Sequence, residues 1–111
     1  TDAHHLLDSL LTAFPQHRLT DDIYFMKYKL HMEKKAYANA ASDLTIIADQ
    51  YGTDILGDDA VFLLGTLNED YLAKPDVAMT YYERILLEYP ASLYVVEARK
   101  RYRLLRGDDI Q

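Results

Sequence analysis

Apolar positions recur along this chain on a helical period. Ala3, Leu7, Leu10 and Phe14 stand at offsets 0, 4, 7 and 11, and the same spacing returns in Ala40, Leu44, Ile47, Tyr51 and in Ala78, Tyr82, Ile85, Tyr89. Four side chains so spaced share one stripe of a helix. Each copy runs directly into a breaker, Pro15, Gly52 or Pro90. A second pattern, at offsets 0, 4 and 11, lies between the copies as Leu19, Ile23, Leu30, then Leu56, Ala60, Leu67, then Tyr94, Ala98, Leu105. The alternation predicts helices near 2–14, 20–34, 37–51, 58–72, 75–89 and 92–106.

Copies of the first stripe lie 37 and 38 residues apart. A fixed period in this range marks a stacked-repeat protein, in which each helix pair buries its apolar face only against its neighbours. The expected fold is therefore all-α, built of stacked antiparallel helix pairs with about six helices in one domain over 1–111. It divides into a half repeat at 1–15, repeats at 19–52 and 56–90, a capping helix at 92–106 and a tail at 107–111. The first helix matches the second half of a repeat, so the chain reads as the C-terminal piece of a longer array.

Local punctuation agrees with these elements. Pro75 suits a first helical turn, where its missing N–H removes no bond, and Asp76 places a negative charge at the positive end of the helix dipole. Ser92 reads as the N-cap of the last helix; Arg103 and Arg106 suit its negative end, and Gly107 suits a left-handed stop.

The spacing of Ala78, Tyr82 and Pro90, preceded by Leu64-Gly65, resembles the tetratricopeptide repeat, with further copies in Ala3, Leu7, Pro15 and in Ala40, Leu44, Gly52. The resemblance spans nearly the whole chain, in pattern more than in identity. Val61 and Asn68 stand where the family often has Trp and Tyr, Tyr28 stands at the place of Gly65 in the first full unit, and the units exceed the family's usual length of about 34 residues. It implies a right-handed α-α superhelix in which Gly65, Ala40 and Ala78 let paired helices approach closely. First helices would line a concave groove. The stretch Tyr89, Pro90, Ser92, Glu97, Ala98, Arg99 is similar to repeats of bacterial cell-envelope proteins of the Tol-Pal and outer-membrane-assembly type, which implies a periplasmic or envelope location.

Composition narrows the function. Eighteen carboxylates face twelve Lys and Arg, for a net charge of −6. That balance argues against a general nucleic-acid or anionic-membrane role, since phosphate binding is driven by clustered cations. One basic cluster, Arg99, Lys100, Arg101, Arg103 and Arg106, reads as spread over several faces of a solvated cap. Repeat arrays need a polar terminal helix to stay soluble, so the exposed apolar end is expected at the N-terminus. No apolar run is long enough to span a membrane. The absence of cysteine excludes disulfides and thiolate metal sites.

Candidate chemistry is sparse. Asp21-Asp22 and Asp58-Asp59 lie one repeat period apart, which dipole compensation and capping explain better than a divalent or acid–base site. His4, His5, His17 and His31 form no His-x-x-x-His pair that would hold a metal on one helix face. Ser9, Ser42 and Ser92 lack a nucleophile elbow. No catalytic, cofactor or metal residue is assigned, and the chain is expected not to be an enzyme.

The ten tyrosines are the residue class best suited to contact a partner, because Tyr joins rigid area to a hydrogen-bonding tip. Tyr51, Tyr82 and Tyr89 belong to the repeated stripe, and Tyr71 can join it across the helix pair. Tyr24, Lys27, Tyr28 and His31 share one side of the second helix and, with Asn68 from the next first helix, are the candidate partner-binding patch; ordinary packing within the array is the competing reading. The functional expectation is a non-catalytic protein–protein interaction scaffold that holds a peptide or partner protein in its groove. The alternative is a structural end-of-solenoid module, or a homo-oligomer formed through the open N-terminal end.

Overall fold

The computed structural model describes residues 2–13, 20–50 and 56–107. Phe14, Pro15, His17, Leu19, Tyr51, Gly52 and the tail from Asp108 to Gln111, all of which figure in the sequence reading, lie outside them. Among the described residues there are six α-helices and no strand: α1 (Asp2–Ala13), α2 (Thr20–Glu33), α3 (Tyr37–Gln50), α4 (Gly57–Asp70), α5 (Pro75–Glu88) and α6 (Val95–Arg106). Each helix packs on its neighbours in the chain, and the array is elongated, at 50 × 28 × 17 Å.

The repeated stripe is the reason for this architecture. Ala40, Leu44 and Ile47 on α3, like Ala78, Tyr82 and Ile85 on α5, are completely buried. From the other helices, Ala60, Leu67 and Ala98 join them in one continuous core, and Ile23 on α2 is buried as well. On α1, among the residues whose side chains are described, Leu7 is buried, Ala3 is exposed and Leu10 half-buried, because α1 packs thinly on α2. α4 and α5 approach closely at Gly65, where a Cβ would lie 2.5 Å from Cε1 of the Tyr82 ring.

Pro75 opens α5, Asp76 lies in its first turn, and Gly107 closes α6 in the left-handed region at φ 97°. The link between α2 and α3 also turns through the left-handed region, at Lys35 (φ 58°), with Lys35 N–H donating to Met32 O and Ala36 N–H to His31 O. This bond pair is the Schellman closure, which glycine normally serves. Lys35→Gly is therefore expected to raise stability by about 0.5–1 kcal/mol in urea unfolding, through relief of the Cβ penalty.

One boundary departs from the sequence expectation. α6 begins at Val95, and Ser92 is not its N-cap. The Ser92 hydroxyl instead donates to Asp58 Oδ2 (2.7 Å) and accepts from Tyr94 N–H (3.0 Å), which makes a turn of residues 92–94. Tyr94 OH donates to Asp59 Oδ1 at 2.5 Å, and its ring stacks on Phe62 with centroids 4.4 Å apart. The hydrogen bond to Asp59, with burial, holds the Tyr94 phenol up at about 12. The acidic pair at the start of α4 thus anchors the entry of α6.

Two arginines tie successive units. Arg84 on α5 donates to Ala48 O (2.9 Å) and Asp49 Oδ1 (3.1 Å), setting a cation at the negative end of α3. Arg101 on α6 donates to Glu69 Oε1 on α4 (3.1 Å) and pairs with Glu97 (2.9 Å), so it is a structural tie and not part of a solvated cap.

Candidate interaction surface

The side of α2 that carries Tyr24, Lys27, Tyr28 and His31 faces neighbouring helices more than solvent. Lys27 Nζ bonds Asp8 Oδ1 on α1 at 2.7 Å and lies 5.5 Å from the centre of the Tyr24 ring. His31 Nδ1 lies 2.5 Å from Oδ2 of the buried Asp43 on α3, and its ring stacks on His4 of α1 with centroids 4.3 Å apart. Lys27 and His31 therefore act as struts that join α1, α2 and α3. Burial pushes the Asp43 carboxyl up, against the pull of the His31 hydrogen bond.

Tyr24 and Tyr28 are half-buried and pack against the core. Burial, with the Tyr71 phenol nearby, raises the Tyr28 hydroxyl above its ordinary value. Tyr71 does not join the buried stripe as expected: it is exposed, and stacks on Tyr37 with centroids 4.6 Å apart. Asn68 does not share the candidate patch's solvent face either. It is buried, and its amide donates to Leu64 O (2.8 Å) in its own helix, because α4 is enclosed by α3 and α5.

The open surface in this region is apolar. A cleft of about 360 Å³ between α1 and α2 is lined by Ala3, Leu6, Leu7, Met26, Lys29 and Leu30. Leu6 is 61% exposed and Met26 53%. Both lie outside the repeated patterns, so periodicity does not single them out. The apolar N-terminal end expected from the sequence is present, but apolar exposure is not confined to it, since Leu93, Val96 and Leu104 at the other end are also exposed.

The His4 imidazole is held below its ordinary 6.5, first by burial and then by His31, Lys34 and Lys27. A histidine whose folded pKa is depressed favours the neutral form, so its contribution to stability is fully present above 6.5 and is lost as pH falls below that value through the lower folded pKa. Acidification from pH about 7.5 to about 5.5 is expected to loosen α1 from α2, since a charged His4, stacked on the His31 ring, would stand near Lys34 and Lys27. Amide exchange over residues 3–10, corrected for intrinsic rate, should show lower protection at the acid pH, and His4→Gln should flatten the response.

Among the described residues, no group of three or more His, Cys, Asp or Glu is placed to hold a metal ion, and no helix is long and apolar enough to cross a membrane. A scan against protein-family models matched none, and a search of curated proteins found no significant match.

Proposed function

We propose that this chain is a non-catalytic protein-interaction scaffold of the tetratricopeptide type and that it receives an apolar partner segment in the α1–α2 cleft. The observation that carries the reading is the contrast on one side of the array. Lys27, His31 and Asn68 are engaged in contacts inside the protein, whereas Leu6 and Met26 face solvent around an apolar recess. An amphipathic helix with two aliphatic anchors one turn apart fits such a cleft, and Lys29 at its rim would suit a carboxylate beside those anchors. The resemblance of Tyr89, Pro90, Ser92, Glu97, Ala98 and Arg99 to envelope repeats supports a bacterial envelope setting.

A second reading has the same cleft as its support. An exposed apolar recess at the end of a stacked array is also what an end-to-end or self-associating solenoid presents, and in that case the occupant is another copy or another repeat.

Affinity capture with paired variants separates the possibilities. Leu6→Glu/Met26→Glu is expected to abolish partner capture with little change in melting temperature, because both residues are exposed. Tyr24→Ala/Tyr28→Ala tests the concave-groove version. Loss of capture only in the tyrosine pair would move the site to the groove, and a concentration-dependent dimer dispersed by the Leu6/Met26 pair would favour the self-associating module. Polar substitution of Leu7 is uninformative here, since that residue is buried and its replacement destabilises the fold.

A further inference from the structure

Net charge averages over a strongly uneven distribution. α6 holds five of the chain's twelve Lys and Arg and one of its eighteen carboxylates, Glu97. The sequence reading spread these cations over several faces; in the folded chain one of them, Arg101, turns inward to Glu69, while Arg99, Lys100 and Arg103 are exposed and make no ion pair among the described residues. At 100° per residue these three fall within an arc of about 100°. Ala98, buried, and Leu105, half-buried, hold the opposite side of the helix on the array.

The same outward side carries aliphatic residues. Leu93 is 97% exposed at the entry of α6, Val96 is 74% exposed within the cationic arc, and Leu104 is 52% exposed beside it. Within α6, Val96, Lys100 and Leu104 form a stripe about 12 Å long at 1.5 Å rise per residue, flanked by Arg99 and Arg103 and preceded by Leu93 in the turn before the helix. The outward side of a helix is a convex surface, whereas peptide capture uses a groove, an exposed sheet edge or anchor pockets. Cations interleaved with protruding aliphatic side chains on a convex face match a flat layer of anionic headgroups, into which the aliphatics dip while the cations hold phosphates.

We propose that the outward face of α6 docks the protein on an anionic lipid surface, with Arg99, Lys100 and Arg103 as the electrostatic contacts and Leu93 and Val96 as the shallow anchors. Docking there would leave the α1–α2 cleft, at the other end of the array, free for a partner. Asp108 and Asp109 follow α6 outside the described residues, so the intact chain is the right test object.

The test is co-sedimentation of the 111-residue chain with vesicles of phosphatidylcholine alone and with about one-third phosphatidylserine. Binding is expected only to the anionic vesicles and to weaken with salt. Arg99→Ala/Lys100→Ala/Arg103→Ala should lower the partition constant on the order of 100-fold, at about tenfold or less per cation. Leu93→Ser/Val96→Ser should lower it roughly tenfold. All five positions are exposed, so helicity by circular dichroism should be unchanged. Equal binding to both vesicle types would overturn the proposal, as would retention by the triple variant. Cation-dependent binding to an oligo-glutamate peptide, with no binding to either vesicle, would also overturn it, in favour of an acidic protein partner.

Discussion

Tyr82→Ala is expected to lower the unfolding free energy by about 3–5 kcal/mol, the largest single loss in the molecule. Tyr82 is completely buried and, among the described residues, is the bulkiest side chain so enclosed. Its ring lies over Gly65, with the Phe62 ring centroid 5.8 Å away, and its hydroxyl donates to Glu69 Oε1 at 2.7 Å, with Arg101 Nη1 3.4 Å from the oxygen. One side chain thus joins α4, α5 and α6. Truncation leaves a cavity between three helices and removes a partner of the Glu69–Arg101 pair. Tyr82→Phe should lose only about 1 kcal/mol, because Glu69 keeps Arg101 at 3.1 Å. Urea unfolding followed by circular dichroism measures both, and near-equal losses in the two variants would mean that the hydroxyl network dominates over the packing.

Gly65→Ala carries the second expected effect, and its sign opposes intrinsic helix propensity. In an unconstrained helix the change is stabilising by about 1 kcal/mol. Here the added Cβ meets Tyr82 Cε1 at 2.5 Å and Cδ1 at 2.9 Å. A flexible side-chain tip could move aside, but this ring is clamped by Phe62 beside it and by the hydroxyl bond to Glu69. Relief then requires α4 and α5 to separate, at an overpacking cost of about 1–3 kcal/mol. The variant is expected to be less stable than the parent by up to about 2 kcal/mol after the propensity gain. Combining it with Tyr82→Leu should give less than the sum of the two losses, because the clash needs both groups. A variant more stable than the parent would contradict the close approach.

The pattern of apolar residues carried most of the fold. Offsets 0, 4 and 7 in Ala40, Leu44, Ile47 and again in Ala78, Tyr82, Ile85 define faces buried on both sides by neighbouring units, so periodicity and burial coincide there. They part company on α1. Ala3 belongs to the first copy of the stripe, yet it is exposed, because burial depends on what is stacked beside a helix and not on the helix alone.

Side-chain partners across units were not legible. Ser92 has the chemistry of an N-cap, but its hydroxyl is claimed by Asp58, 34 positions earlier, and α6 starts at Val95. Arg84 carried no motif, although it closes the end of α3. The placing of Tyr24, Lys27, Tyr28 and His31 on one side of α2 followed from spacing alone. Whether that side meets solvent depends on Asp8 and His4 from α1 and on Asp43 from α3, none of which belongs to the repeated pattern. The cations of α6 looked dispersed for a related reason: the inward turn of Arg101 toward Glu69 and Glu97 leaves the remaining arc coherent, and only the folded array supplies Glu69.

The most direct measurement on the interaction-scaffold account is hydrogen exchange of the chain, free and bound to a captured partner. The account predicts new protection concentrated in residues 2–13 and 20–33, the helices that form the apolar cleft, and loss of that protection in Leu6→Glu/Met26→Glu. Protection gained across α4 and α5 with α1 and α2 unchanged would contradict it.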